Sequence, residues 1–237
     1  MDEALLNAAR RYSARDWEGA LEALRSVAST EENHLDLAYY LGLCYARLER
    51  WDEALLYLEQ VVTGSPELLR IFQCRLSLAY AYTETSRYRL AEYELKRLLE
   101  AGFESAQVLS FLGYLAWAQG RADESIDWYG KALALDRENA TALNGMGYLL
   151  INEGRDTARA LVYCRKAVEK KPESPAYLDS LAWAYYRLGY QAEARDCIER
   201  ALTLAPGAEE IREHARAIAA GEGGEPGPER PSMEDFA

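Results

Sequence analysis

The sequence predicts an all-α chain of six helix-turn-helix units followed by a capping helix, and three observations carry that prediction. Small residues recur in register: Ala20, Ala54, Ala91, Ser125, Ala160 and Ala194 are separated by 34, 37, 34, 35 and 34 residues. A second small residue, Ala8, Gly42, Ala79, Gly113 or Ala182, stands twelve positions before five of them, and Gly147 stands thirteen before Ala160. Apolar residues then follow each of the six at helical spacing. Leu24, Leu58, Leu95, Tyr129, Cys164 and Ile198 lie four positions on, and Val27, Val61, Leu98, Ala132, Ala167 and Ala201 three further. That i, i+4, i+7 stripe is the buried face of an amphipathic helix. Self-similarity at this period marks a solenoid, in which each unit buries its apolar face on the next. No segment sustains a period-two alternation, so no strand is expected.

The units follow in order. The first, about residues 1–34, pairs Ala8 with Ala20, and its Ala4, Asn7 and Arg11 suit a terminal unit whose outer face meets water. The second, 35–71, sets Gly42 against Ala54 and stops at Pro66. Glycine inside a helix costs about 1 kcal/mol against alanine, so it needs a close helix approach to justify it. Three extra residues near GSPELLRIFQ precede the third unit, 72–105, and call for either a longer helix or a bulged loop. The fourth unit, 106–139, carries Gly113 and Ser125. The fifth, 140–174, has one inserted residue between Gly147 and Ala160 and ends at Pro172. The sixth, 175–206, sets Ala182 against Ala194 and ends at Pro206, since proline cannot continue a helix. Residues 207–221 form the capping helix, with Ile211, Ala215 and Ile218 on one side and Gly221 as its stop. The remaining segment, 222–237, is rich in Gly, Pro and Glu and reads as a disordered acidic tail.

The pattern resembles the tetratricopeptide repeat over about residues 1–206. The sixth unit, YLDSLAWAYYRLGYQAEARDCIERALTLAP, carries the resemblance most clearly, and the second, YYLGLCYARLERWDEALLYLEQVVTGSP, nearly as well. The resemblance implies a right-handed superhelical solenoid whose first helices line a concave groove for a partner peptide. The run ALNGMGYLL followed by AYLDSLAWAYYRLG is similar to one common in bacterial members, which implies a bacterial source.

Charge and chemistry narrow the function. The net charge of −12 repels phosphate backbones, so nucleic acid is not expected as a partner and basic proteins are the better electrostatic match. No apolar run reaches membrane-spanning length, so no membrane insertion is expected. The N-terminus reads as neither secretory signal nor transit peptide, and a cytoplasmic location follows as an expectation. Cys44, Cys74, Cys164 and Cys197 form no C-x-x-C pair and read as buried free thiols in a reducing compartment. His34 and His214 have no second ligand at metal-binding spacing and read as lone surface histidines. With no phosphate loop, nucleophile elbow or metal motif, no cofactor, metal or catalytic residue is expected, and the chain reads as a non-enzyme.

One face carries a ladder. Tyr80, Tyr114, Tyr148 and Trp183 recur at intervals of 34, 34 and 35, each directly after a small residue. With Tyr39, Trp117, Asn144, Asn152, Tyr186 and Arg187 they form the expected partner-binding face. Tyr and Trp give contact area with a polar handle, and asparagine amides can bond an extended backbone. Each ring can equally fill the gap between neighbouring first helices. The lysines and arginines that some family members use to clamp an acidic C-terminus are nearly absent here, so that use is not expected. The expected role is a scaffold or adaptor that binds an extended or helical protein segment, basic or apolar and aromatic in character. A self-associating assembly subunit (a homo-oligomer or one held by its convex face) and a regulatory module of a separate enzyme are the alternatives. Met233 and Phe236, the only large apolar side chains of the tail, resemble a short docking motif, although an inert solubilising tail is the favoured reading.

Overall fold

A computed structural model describes residues 3–221. Among them the chain forms helices and no strand: α1 (Glu3–Ser13), α2 (Trp17–Arg25), α3 (His34–Arg47), α4 (Trp51–Gly64), α5 (Leu68–Glu84), α6 (Tyr88–Glu100), α7 (Ala106–Ala118), α8 (Ala122–Leu135), α9 (Ala140–Asn152), α10 (Thr157–Lys170), α11 (Pro175–Arg187), α12 (Gln191–Leu204) and α13 (Glu209–Ala220). The predicted all-α class is the one the chain adopts.

Contacts divide the chain into two compact units, Met1–Glu104 and Ser105–Ala237. In the first, α1–α2, α3–α4 and α5–α6 are hairpins, and α2 and α4 each pack on the next first helix. In the second, α7–α8, α9–α10 and α11–α12 repeat the arrangement, and α13 packs against both α12 and α11. First helices also stack on one another within each unit: α1 on α3 on α5, and α7 on α9 on α11 on α13.

The small residues sit where the hairpin helices cross. Ala20, Ala54, Ala91, Ser125, Ala160 and Ala194 are all fully buried. A Cβ added to Gly42 would lie 2.8 Å from Leu58 Cδ2, and one added to Gly147 would lie 2.6 Å from Cys164 Sγ and 3.0 Å from the Ala160 carbonyl oxygen. Serine is tolerated in place of alanine at position 125 because its Oγ donates to the Gly113 carbonyl at 2.7 Å. Leu24, Leu58, Leu95, Tyr129, Cys164 and Ile198 form the core beside these crossings. Burying one such aliphatic side chain stabilises by about 1.5–3 kcal/mol.

The three inserted residues lengthen a helix. Helix α5 has 17 residues where α7, α9 and α11 each have 13. Its added turn leaves Leu68 and Leu69 exposed. Gly221 ends α13 in the left-handed region at φ 70°, a common helix stop.

The hairpin turns share one backbone requirement. Arg15, Glu49, Ser86, Gly120, Gly154 and Gly189, in matching register, all have positive φ. Glycine takes this conformation freely, whereas an L side chain meets its own carbonyl at a cost of about 1–2 kcal/mol. Ser86, at φ 58°, is exposed. Ser86→Gly should therefore raise stability by up to about 1 kcal/mol, after the extra unfolded-state entropy of glycine is offset. A shift of the urea midpoint to higher concentration at unchanged slope checks it.

Candidate functional site

In the unit Ser105–Ala237 the stacked first helices bring the aromatic side chains into one connected row. Tyr114 and Trp117, one turn apart on α7, have ring centroids 6.0 Å apart. Trp117 meets Tyr148 of α9 edge-on at 5.7 Å. Tyr148 lies 6.2 Å from the imidazole of His214 on α13, and that imidazole stacks on Trp183 of α11 at 4.4 Å with 21° between the planes. Trp183 in turn packs on Tyr186 at 5.2 Å, and the Arg187 guanidinium carbon lies 5.9 Å from the Trp183 ring centroid. Offset and edge-to-face pairs of this kind add about 0.5–1.5 kcal/mol each beyond the area they bury.

Polar contacts fix the row. Trp183 Nε1 donates to Asn152 Oδ1 at 2.8 Å, and the Tyr148 hydroxyl donates to Glu210 at 3.4 Å. His214 Nδ1 lies 2.9 Å from both carboxylate oxygens of Asp179, which is itself buried. Burial alone would lower the His214 pKa. The hydrogen bond and charge of Asp179, with the nearby Glu210 and Glu213, overcome that and raise it above its ordinary value. Burial, chiefly, also raises the Tyr148 pKa. Asn144 Oδ1 is buried with no hydrogen-bond donor among the described residues. A buried acceptor left so costs about 1–3 kcal/mol.

The row divides by exposure. Tyr114 is 40% exposed and Trp117 half-buried beside it. Tyr148 and Trp183 are partly covered because α13 lies against them. Tyr186 is only 6% exposed, so it supports Trp183 from beneath and presents little surface of its own. Arg187 is exposed.

The reading of His214 as a lone surface histidine is corrected. Its side chain is 12% exposed and clamped between Trp183 and Asp179. Charged neighbours in sequence suggested a solvated position, but α13 occupies the place of one more first helix. The signal was available, since Asp179 and His214 are 35 residues apart, one repeat.

Two predicted groove residues, Tyr39 and Tyr80, belong to the unit Met1–Glu104. The Tyr39 hydroxyl on α3 donates to Gln73 Oε1 of α5, and Arg70 lies over the ring with its centroid 5.2 Å away. Tyr39 is thereby committed to joining adjacent first helices. Tyr80 is 50% exposed and rests edge-on against Trp51 at 5.7 Å. Met233 and Phe236 lie outside the described residues. All four cysteines are free and buried. Burial pushes the Cys74 and Cys164 thiols up to about 12 and those of Cys44 and Cys197 up to about 11, which suppresses the reactive thiolate. Among the described residues no group of three or more His, Cys, Asp or Glu is placed to hold a metal ion, and no helix is long and apolar enough to cross a membrane.

Known proteins share the arrangement. Models of the TPR repeat match residues 113–154, and models of the tetratricopeptide repeat match 175–208 and 5–68. A TPR repeat-containing protein of Pseudomonas aeruginosa is 36% identical over 74 residues, covering 31% of this chain. The chain spans 12% of that relative's length. Among solved structures, the APC/C hetero-tetramer Cut9–Hcn1 superposes with a TM-score of 0.76 at 17% identity, covering 93% of this chain and 43% of that one. YrrB, a TPR protein with an unusual peptide-binding site, superposes at 0.52 with 16% identity, covering 84% of this chain and 97% of its own. Matched stretches at both ends and in the middle, on helices paired in one register, make this chain a member of the tetratricopeptide-repeat family.

Proposed function

We propose that this chain is a protein-interaction scaffold that takes a segment of a partner protein on the first helices of the unit Ser105–Ala237. The observation that carries the reading is the Tyr114–Trp117 pair. One ring is 40% exposed and the other lies beside it, at the end of the row that α13 leaves uncovered. Exposed Tyr and Trp rings of this kind are typical binding anchors. The net charge of −12 favours a partner segment with basic residues. Tetratricopeptide-repeat proteins generally mediate protein–protein contacts, and the peptide-binding site of YrrB is one instance.

The test is cross-linked copurification from source cells, with wild type and Tyr114→Ala/Trp117→Ala side by side. Losing two anchors should weaken the partner identified in this way by about thirtyfold or more, while helical circular dichroism is retained. Wild-type affinity in the folded double variant would refute the assignment. A second reading, self-association through outer helices, draws on Leu56 of α4 and Leu90 and Tyr93 of α6, all exposed. A molar mass that rises with concentration would select it.

A further inference from the structure

Helix α13 does more than close the last hairpin. Its apolar side chains Ile211 and Ile218 are buried, as a cap requires. His214, however, stacks on Trp183 and reaches Asp179 on the first-helix face, and Glu210 of the same helix receives the Tyr148 hydroxyl. The helix therefore lies over the Tyr148–Trp183 end of the aromatic row, and the Tyr114–Trp117 end stays open.

One contact in that cover is titratable. The groups acting on the imidazole are Asp179 from α11 and Glu210 and Glu213 from α13 itself, with the Tyr148 ring of α9 beside it. The three named charges are all carboxylates, so every one of them favours the imidazolium. Asp179, 5% exposed, holds its carboxylate against Nδ1 with both oxygens. When the proton leaves, the ion pair becomes a single hydrogen bond from a neutral imidazole to the buried carboxylate, and the Coulombic attraction between α13 and α11 is lost.

We propose that α13 is a proton-held cover on the aromatic row: protonated His214 seats it on Asp179 and Trp183, and loss of the proton loosens α13 and opens the Tyr148–Trp183 end to a partner segment. The proposal rests on the reading that the first-helix face takes a partner, and it supplies a control on that face. The direction follows from linkage. The docked state binds the proton more tightly than the released state, so docking is fully supported below the ordinary histidine value of 6.5 and loses that support as pH rises through the higher docked value. Partner access thus widens toward alkaline pH.

Amide hydrogen exchange of the full chain, corrected for intrinsic rates, tests this without any partner, so its outcome is independent of the copurification experiment above. Between about pH 6 and about pH 9, protection across residues 210–220 should fall severalfold in wild type, with α9 protection constant. In His214→Gln, which keeps a hydrogen-bonding side chain that does not titrate, the α13 protection should be independent of pH. Asp179→Asn should lower it already at about pH 6, where the imidazole has lost its counter-charge. Acrylamide quenching of the Trp183 fluorescence, taken as the difference from Trp183→Phe, should rise over the same range. Wild-type α13 protection that does not change with pH, an equal fall in His214→Gln, or a parallel fall in α9 would each overturn the proposal.

Discussion

Gly147→Val should destabilise the unit Ser105–Ala237 by about 3 kcal/mol, the upper part of the range for overpacked cores. The expected clash is specific. A Cβ at this position would lie 2.6 Å from Cys164 Sγ, 3.0 Å from the Ala160 carbonyl oxygen and 3.1 Å from the Cys164 nitrogen. The thiol can rotate away, but two of the three atoms are backbone of α10, so the helices themselves must separate. Gly130 is the matched control. It lies inside α8 with no atom within 4 Å of an added Cβ, so Gly130→Ala should stabilise by about 1 kcal/mol through helix propensity alone. Urea unfolding of the two variants measures both signs. If Gly147→Val is neutral, the close helix crossing is not what the glycine serves.

Trp183→Ala should cost about 3 kcal/mol, near the lower end for large aromatic truncations because the ring is partly covered. Four contacts are lost together: the stack on His214, the hydrogen bond to Asn152, the packing on Tyr186 and the approach of Arg187. Amides of α13 should lose protection more than those of α7, because neighbours in a repeat array feel a substitution first. Tyr114→Ala gives the contrast. That ring is 40% exposed, and its removal should lower stability by less than about 1 kcal/mol, a small shift of the thermal midpoint. The pair of variants separates a ring that is largely covered from one that is 40% exposed, although the two stand in the same register.

That contrast shows where sequence reasoning succeeds here. Volume is restricted at a helix crossing, and a crossing recurs once per unit, so alanine and glycine at positions such as Gly42 and Ala54 announce the fold through their period alone. Tyr114, Tyr148 and Trp183 are legible as a row for the same reason. Whether each ring is covered depends on the next first helix, and the tyrosine or tryptophan itself carries no trace of it. The covering helix was visible as an amphipathic segment, but its docking through His214 was not. Glu210, Arg212, Glu213 and Arg216 made that stretch look solvated. One more step of the repeat, from Asp179 to His214, would have found the contact. The turns were harder still. Arg15, Glu49 and Ser86 adopt positive φ, a conformation their residue types do not signal.

Those turns are unevenly distributed. The three without glycine fall in Met1–Glu104, and Gly120, Gly154 and Gly189 fall in Ser105–Ala237, where Asp156, at φ 41° beside Gly154, is a further non-glycine residue in this conformation. Each non-glycine turn holds about 1–2 kcal/mol of local strain. A repeat array does not average such strain over the whole molecule, because each unit answers mainly to its neighbours. Changes to turn strain in the N-terminal unit and changes to the proposed recognition surface therefore have different addresses along this chain. The turns of the N-terminal unit can drift toward glycine and greater heat tolerance while the Tyr114–Trp117 surface is left as it is.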